Sequence, residues 1–318
     1  MSLSSVFLTA ILPVLSIAVV GYLLGSQRDV TVDSLNTVTI YVLIPALIFH
    51  SLATTPIETA TMGKVVAGVV GYTFVMIAVT RGVGWLRGES ELGLSALVLA
   101  SVFTNAGNYG IPLAEFAFGP VGRSTAVLFL IAQNVMMYTV GVYVASRGDG
   151  AASLDAAVAV FKLPLVYAVI AAAVVRGLGW SLSDVSAMMR TIELTGEAAI
   201  PIMLLILGIE LANTDYDAAI ARTGTATLLK LFVAPAVGIV FALGLGFTNP
   251  VVARVFVLGC ATPTAITPLM LSIKFIDEPL TGDVSVPEFV SAAIFTTTVA
   301  SVVVLTALIV LLQSGAVI

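Results

Sequence analysis

Long apolar runs alternate with short polar breaks along this chain. Read against their breakers, the runs predict ten spans, at roughly 5–25, 33–53, 63–86, 92–117, 122–146, 157–177, 188–212, 219–246, 251–275 and 287–313. A helix needs about 20 residues to cross the hydrocarbon core. The runs are continuously apolar, whereas the strands of a membrane barrel alternate, so a barrel is not expected. The first run carries no basic stretch before it and no cleavage signature after it, which reads as a retained helix rather than a signal peptide. Polar breaks at 26–33, 147–155 and 276–288 hold much of the loop charge, and none is long enough for a separate domain.

The breaks recur. Ile44-Pro45 returns as Ile200-Pro201, 156 residues later, and Pro112-Leu113 returns as Pro268-Leu269 at the same offset. Leu12-Pro13-Val14 near the start of the first span parallels Leu163-Pro164-Leu165, and Pro120 and Pro287 precede the fifth and tenth spans. Together these predict two five-helix halves, 1–148 and 149–318. An odd number of spans per half sets the halves in opposite membrane orientations, the inverted-repeat plan of many secondary transporters. The expected fold is thus an all-α polytopic membrane protein. More loop Lys and Arg fall on the side of the 147–155 linker, which places that linker inside and both termini outside a cell membrane.

Two spans are broken in the middle. The fourth holds Asn105, Gly107, Asn108, Gly110 and Pro112, and the ninth holds Thr262, Pro263, Thr264, Thr267 and Pro268. Glycine costs a helix interior about 1 kcal/mol and proline about 3. Unwound backbone at mid-membrane depth must line a cavity or be buried in protein. Matched breaks in two halves point to a transport site. Proline suits the first turn of a helix, so Pro112 and Pro268 are expected to open half-helices whose N-termini face the centre. Free amide donors there suit an anion. Asn105, Asn108, Thr262 and Thr264 add neutral hydrogen-bonding groups. The bland alternative is a pair of ordinary kinks packed against neighbours.

Composition narrows the classes. Of 318 residues, 59% are hydrophobic and 10% charged; a soluble domain holds about 25% charged residues. That excludes a cytosolic enzyme and a disordered chain, and a net charge of −5 leaves no basic patch for nucleic acid. Cys260 and His50 are single, so no internal disulfide, no thiolate site and no multi-histidine metal site can form, and no cofactor is expected. No H-E-x-x-H motif and no paired intramembrane aspartates suggest an enzyme.

At the broken spans the sequence resembles the auxin efflux carrier family, which includes the plant PIN transporters. Asn105 followed by Gly110-Ile111-Pro112 is similar to the family's N-x-x-x-x-G-I-P crossover. Ala261 to Pro268 (ATPTAITP) resembles A-L-P-Q-G-I-V-P, with Pro263, Ile266 and Pro268 in register. Pro45 to His50, Leu207-Gly208, Ala234 to Val237, and Gln133 with Tyr138 match further short motifs in chain order. The resemblance implies a prokaryotic member with ten helices and crossed broken helices four and nine. It implies export of small organic anions by an elevator-like movement past a scaffold of spans one, two, six and seven. It also implies a homodimer through that scaffold. Asn105 and the backbone around Gly110, Pro112, Pro263 and Pro268 would then contact a substrate carboxylate, with Gln133 and Tyr138 in support. PIN proteins carry an Asp and a Lys in the third span where Gly68 and Tyr72 stand here, and a glutamine where Thr264 stands. These departures put auxin itself in doubt as the substrate.

Intramembrane charges are candidate ion or proton sites. Glu197, Glu115 and His50 are the candidates, each with a bland alternative as a headgroup-level or capping residue. Glu193 and Glu210 read as interfacial, Lys230 as snorkelling to the interface, and Arg254 and Lys274 as interface anchors. No carboxylate pair stands in the crossovers, so coupling through a dedicated carboxylate is not expected; the membrane potential would drive anion export. The alternative is a sodium- or proton-coupled symporter of the bile-acid type, with oxygens from Asn105, Asn108, Glu115 and Thr264.

Overall fold

The computed structural model describes residues 3–28, 30, 32–55, 57–146, 158, 164–178, 187–213, 220–276, 279–281 and 284–318. The expected linker at 147–155 and the start of the expected sixth span lie outside these residues. Seven helices are long and apolar enough to cross a membrane: α1 (Ser4–Gln27), α2 (Val32–Thr54), α3 (Thr59–Leu86), α5 (Ala106–Ala145), α7 (Ala187–Ala212), α8 (Gly224–Leu245) and α11 (Val286–Gln313). Shorter apolar helices are α4 (Glu91–Val102), α6 (Pro164–Gly177) and α9 (Pro250–Ala261), followed by α10 (Thr267–Phe275). The chain is a multi-pass membrane protein. The described residues are all-helical as expected, apart from one short loop ribbon. Pro279–Thr281 (β1) and Val284–Ser285 (β2) pair as a small antiparallel ribbon in the loop before α11. The ribbon leads into a capping box, in which Ser285 and Glu288 satisfy each other's backbone N–H groups at the start of α11.

Prolines shape the helices in a repeated way. Wide π-type turns at Phe7–Ile11, Thr39–Leu43, Ala106–Gly110 and Leu229–Val233 each end two residues before a proline: Pro13, Pro45, Pro112 and Pro235. A proline ring collides with the carbonyl four residues earlier and cannot donate to it. Those carbonyls belong to Thr9, Tyr41, Asn108 and Leu231, the central residue of each turn. Widening the turn moves the carbonyl off the ring without ending the helix. α5 also bends at Gly119, whose φ of 67° suits glycine, just before Pro120.

The helices pack in two sets. In one, α1 lies along α7, α6 along α2, and the start of α7 against α2. Glycine permits the closest approach: a Cβ on Gly208 would fall 1.9 Å from the Ala18 carbonyl oxygen, and one on Gly21 2.2 Å from that of Leu205. Small residues that bring backbones together are a normal membrane interface. Arg176 of α6 donates to the carbonyls of Leu52, Thr55 and Ile57 and so satisfies the end of α2. In the other set, α3 packs on α4, α5 and α8, α9 on α5 and α8, and α11 on α4, α9 and α10.

Candidate functional site

α4 and α9 each stop at mid-chain of an apolar stretch, and the extended residues that follow them meet. Thr104 and Thr264 pair as an antiparallel bridge. Asn105 N–H donates to the Pro263 carbonyl at 2.7 Å, and Ala265 N–H to the Phe103 carbonyl at 3.1 Å. Backbone groups that leave a helix inside a membrane need partners; here each broken segment supplies the other's. Thr264 Oγ1 donates to the Ala100 carbonyl at 2.6 Å and so satisfies the end of α4. Thr262 Oγ1 does the same within α9, to Gly259 at 3.0 Å. Gln133 of α5 grips Thr104 twice: its amide N–H donates to the Thr104 carbonyl, and its amide oxygen accepts from Thr104 Oγ1 at 2.6 Å.

A cavity of about 740 Å³ opens beside this crossing. Asn105, Asn108, Gln133 and Tyr138 line it. Gly110, Pro112, Thr262, Pro263, Thr264 and Pro268 do not line it; they build the crossing behind it. Gly110 N–H donates to the Asn105 carbonyl at 2.9 Å, and a Cβ there would stand 3.3 Å from that oxygen. Pro112 does not open the half-helix as expected, because the wide turn carries helix back to Ala106. Pro268 does sit in the first turn of α10. Residues at both half-helix N-termini, Ala106 and Gly107 on one side and Ile266 and Thr267 on the other, line the cavity.

Glu115, Glu197 and His50 lie outside the cavity lining. Glu115 faces Arg123 across 3.4 Å, and Glu197 is exposed. The structure adds to two readings of charged residues. Glu210, two residues from the end of α7, lines the cavity, and Oε2 of its carboxylate is buried. Lys230 does not snorkel; it is fully buried, with Nζ donating to the Cys260 carbonyl at 3.4 Å. Tyr72 Oη donates to the same oxygen at 3.2 Å. Lys274, read as an anchor, also lines the cavity.

Several lining residues escaped the sequence reading. Asn36 and Thr39 come from α2 and Asn134 from α5. Thr39 Oγ1 is buried with no hydrogen-bond partner among the described residues. A usable signal was the polar cluster at the start of the second span, three residues apart as on one helical face.

Comparison with known proteins agrees with this architecture. The family model described as "Membrane transport protein" matches residues 6–157 and 153–309. A protein of Rhizobium meliloti named "Putative malonate transporter" is 27% identical over 96% of both chains. An uncharacterized transporter of Methanothermobacter thermautotrophicus is 28% identical over 92% of this chain and 94% of its own length. A third, from Methanocaldococcus jannaschii, is 22% identical over 71% of this chain and 76% of its own length. The chain belongs to this membrane transport family, of the auxin efflux carrier type, and is a membrane transporter rather than an enzyme.

Proposed function

We propose that this protein is a secondary transporter of small organic carboxylate anions, bound where the two broken helices cross. The observation that carries the reading is the pair of half-helix N-termini opening into one cavity. Each N-terminus presents amide donors without intrahelical partners and a partial positive charge. Asn105 and Asn108 add side-chain amides, Thr39 offers an unpaired hydroxyl, and Lys274 adds a cation to the cavity lining. A short dicarboxylate has the size and charge for such a site, and malonate is the first acid to try because one relative bears its name.

In this reading α4 with the first arm of α5, and α9 with α10, are crossed fourth and ninth spans. The second arm of α5 is then the fifth span. Ten spans follow, as two inverted halves meeting near 148–149. The repeated prolines support it, as do the two family matches, which meet at 153–157. The set α1, α2, α6 and α7 is the scaffold, and the other set carries the crossing past it in an elevator-like step. Two copies pair through the scaffold in the cell membrane, with both termini outside.

The test is counterflow of labelled malonate and related acids into proteoliposomes loaded with the unlabelled acid. Saturable exchange is expected, with at least a tenfold loss in Asn105→Ala. Saturable binding of an acid without movement of label would favour a sensor over a carrier.

A further inference from the structure

One face of α10 runs along the cavity. Thr267, Met270, Leu271 and Lys274 all line it, and the spacing i, i+3, i+4, i+7 sets them in a single stripe of the helix. The stripe begins at amide donors. Leu269 N–H makes the first bond of this half-helix, to the Ile266 carbonyl at 2.8 Å, so the N–H groups of Ile266 and Thr267 stand ahead of the helical ladder. Met270 and Leu271 make the middle of the stripe apolar. It ends at the ammonium of Lys274, 5.2 Å from the centre of the Phe275 ring. Among the described residues no carboxylate forms an ion pair with this ammonium.

Two positive features on one face suit a ligand with two negative ends. The seven residues from Thr267 to Lys274 rise about 10 Å. The four-carbon stem of a lysine is long enough to bring its ammonium back over the preceding turn. A carboxylate held at Ile266 and Thr267 then leaves the other carboxylate of a short diacid within reach of Lys274, with the carbon chain over Met270 and Leu271. The buried Thr39 hydroxyl of α2, without a hydrogen-bond partner among the described residues, lines the same cavity and offers the bound acid a further contact. An acid with one carboxylate meets the amide donors and leaves the ammonium to water.

Resting on the transport reading above, we propose that Lys274 is a specificity-determining residue: its ammonium binds the second carboxylate of a dicarboxylate and so makes the carrier prefer diacids to monoacids. The other charged residue of the lining, Glu210, is acidic, so the attraction for a second carboxylate falls to Lys274. Hydrogen bonds between ionised partners are roughly twice as strong as neutral ones. Lys274 is exposed, and water competes for its ammonium. The preference is therefore about tenfold, the low end for a hydrogen bond to a charged group.

The experiment uses full-length protein in proteoliposomes at neutral pH, with labelled malonate and labelled monomethyl malonate. The ester keeps the three-carbon acid skeleton and has one carboxylate. Counterflow by the wild type reads the transport proposal alone. Its half-saturation concentration should be about tenfold lower for malonate than for the ester. Lys274→Met should raise the value for malonate about tenfold and leave that for the ester within about twofold. Lys274→Arg should keep the preference for malonate. Exchange of the ester shows that the Met variant is folded and cycling. A lysine that only anchors α10 at the membrane surface would alter both acids alike. Equal losses for the two acids in Lys274→Met, or an unchanged value for malonate, overturn the role of Lys274 and leave the carrier standing. A wild type that exchanges both acids without preferring malonate does the same. Absence of wild-type counterflow for malonate, its ester and related acids removes the transport proposal and the role of Lys274 with it.

Discussion

Lys230 stands on a helix that is apolar almost all round, and this is why the sequence misplaced it. Its neighbours mark no polar face, so the rotation of the charged residue cannot be read from periodicity. Asn105 and Asn108 were legible because glycine and proline around them break the helix visibly. The magnitudes for Lys230 are unequal. Its ammonium lies at the last turn of α9, where the helix dipole is worth roughly 0.3–1 kcal/mol. Burying an ion costs several kcal/mol, and among the described residues no carboxylate pairs with it. Lys230→Met keeps the volume and removes the charge. It is expected to raise the thermal unfolding midpoint in detergent, corresponding to about 1 kcal/mol or more. A lower midpoint would mean that the ammonium gains more from the Cys260 carbonyl than burial costs it.

At the scale of elements, the seven helices among the described residues that are long and apolar enough to cross a membrane fall on expected apolar runs, because a run of apolar residues bounded by polar breaks is a strong signal. The turns within helices were not legible. A proline predicts a kink, but only packing decides whether the chain bends, stops or widens into a π-type turn. Helix contact was equally hidden: Gly21, Gly25 and Gly208 look like any membrane glycines until α1 and α7 are seen against each other. Gly208→Ala places a methyl against a backbone carbonyl that cannot give way, and should cost about 1–3 kcal/mol or more. Gly82→Ala, inside α3 with open space around it, should instead add about 0.5–1 kcal/mol. Unfolding midpoints of the two variants, measured in the same detergent, should move in opposite directions.

The whole molecule poses the question of movement between the two sets of helices. Ser124 of α5 donates to Thr55 Oγ1 at 2.7 Å and to the Ser51 carbonyl at 3.2 Å, which links the sets at the end away from the cavity. A relative displacement of the sets has to break this contact. The double variant Thr55→Cys/Ser124→Cys is expected to form a disulfide under mild oxidant, since the two oxygens already approach within hydrogen-bond distance. Counterflow should then stop and return on reduction, while each single variant stays insensitive to oxidant. Full exchange in the cross-linked protein would mean that these sets do not slide past each other. The broken segments that meet were visible in the sequence as clusters of glycine, proline and polar residues within apolar runs. The cavity was not, because it is assembled from α2, α5, α7 and α10, whose relative placement no local pattern encodes.

The mutual pairing of the two broken segments has a consequence for how the protein breathes. A helix interruption is ordinarily where backbone amides exchange with water most readily. Here the amides of Asn105 and Ala265 are each bonded to the opposite strand and buried in the middle of the molecule. Neither can open without the other segment giving way, so the two interruptions share one opening event. The weakest-looking points of the two broken segments thereby become a single cooperative knot, and the frayed ends of the surrounding helices exchange before it does.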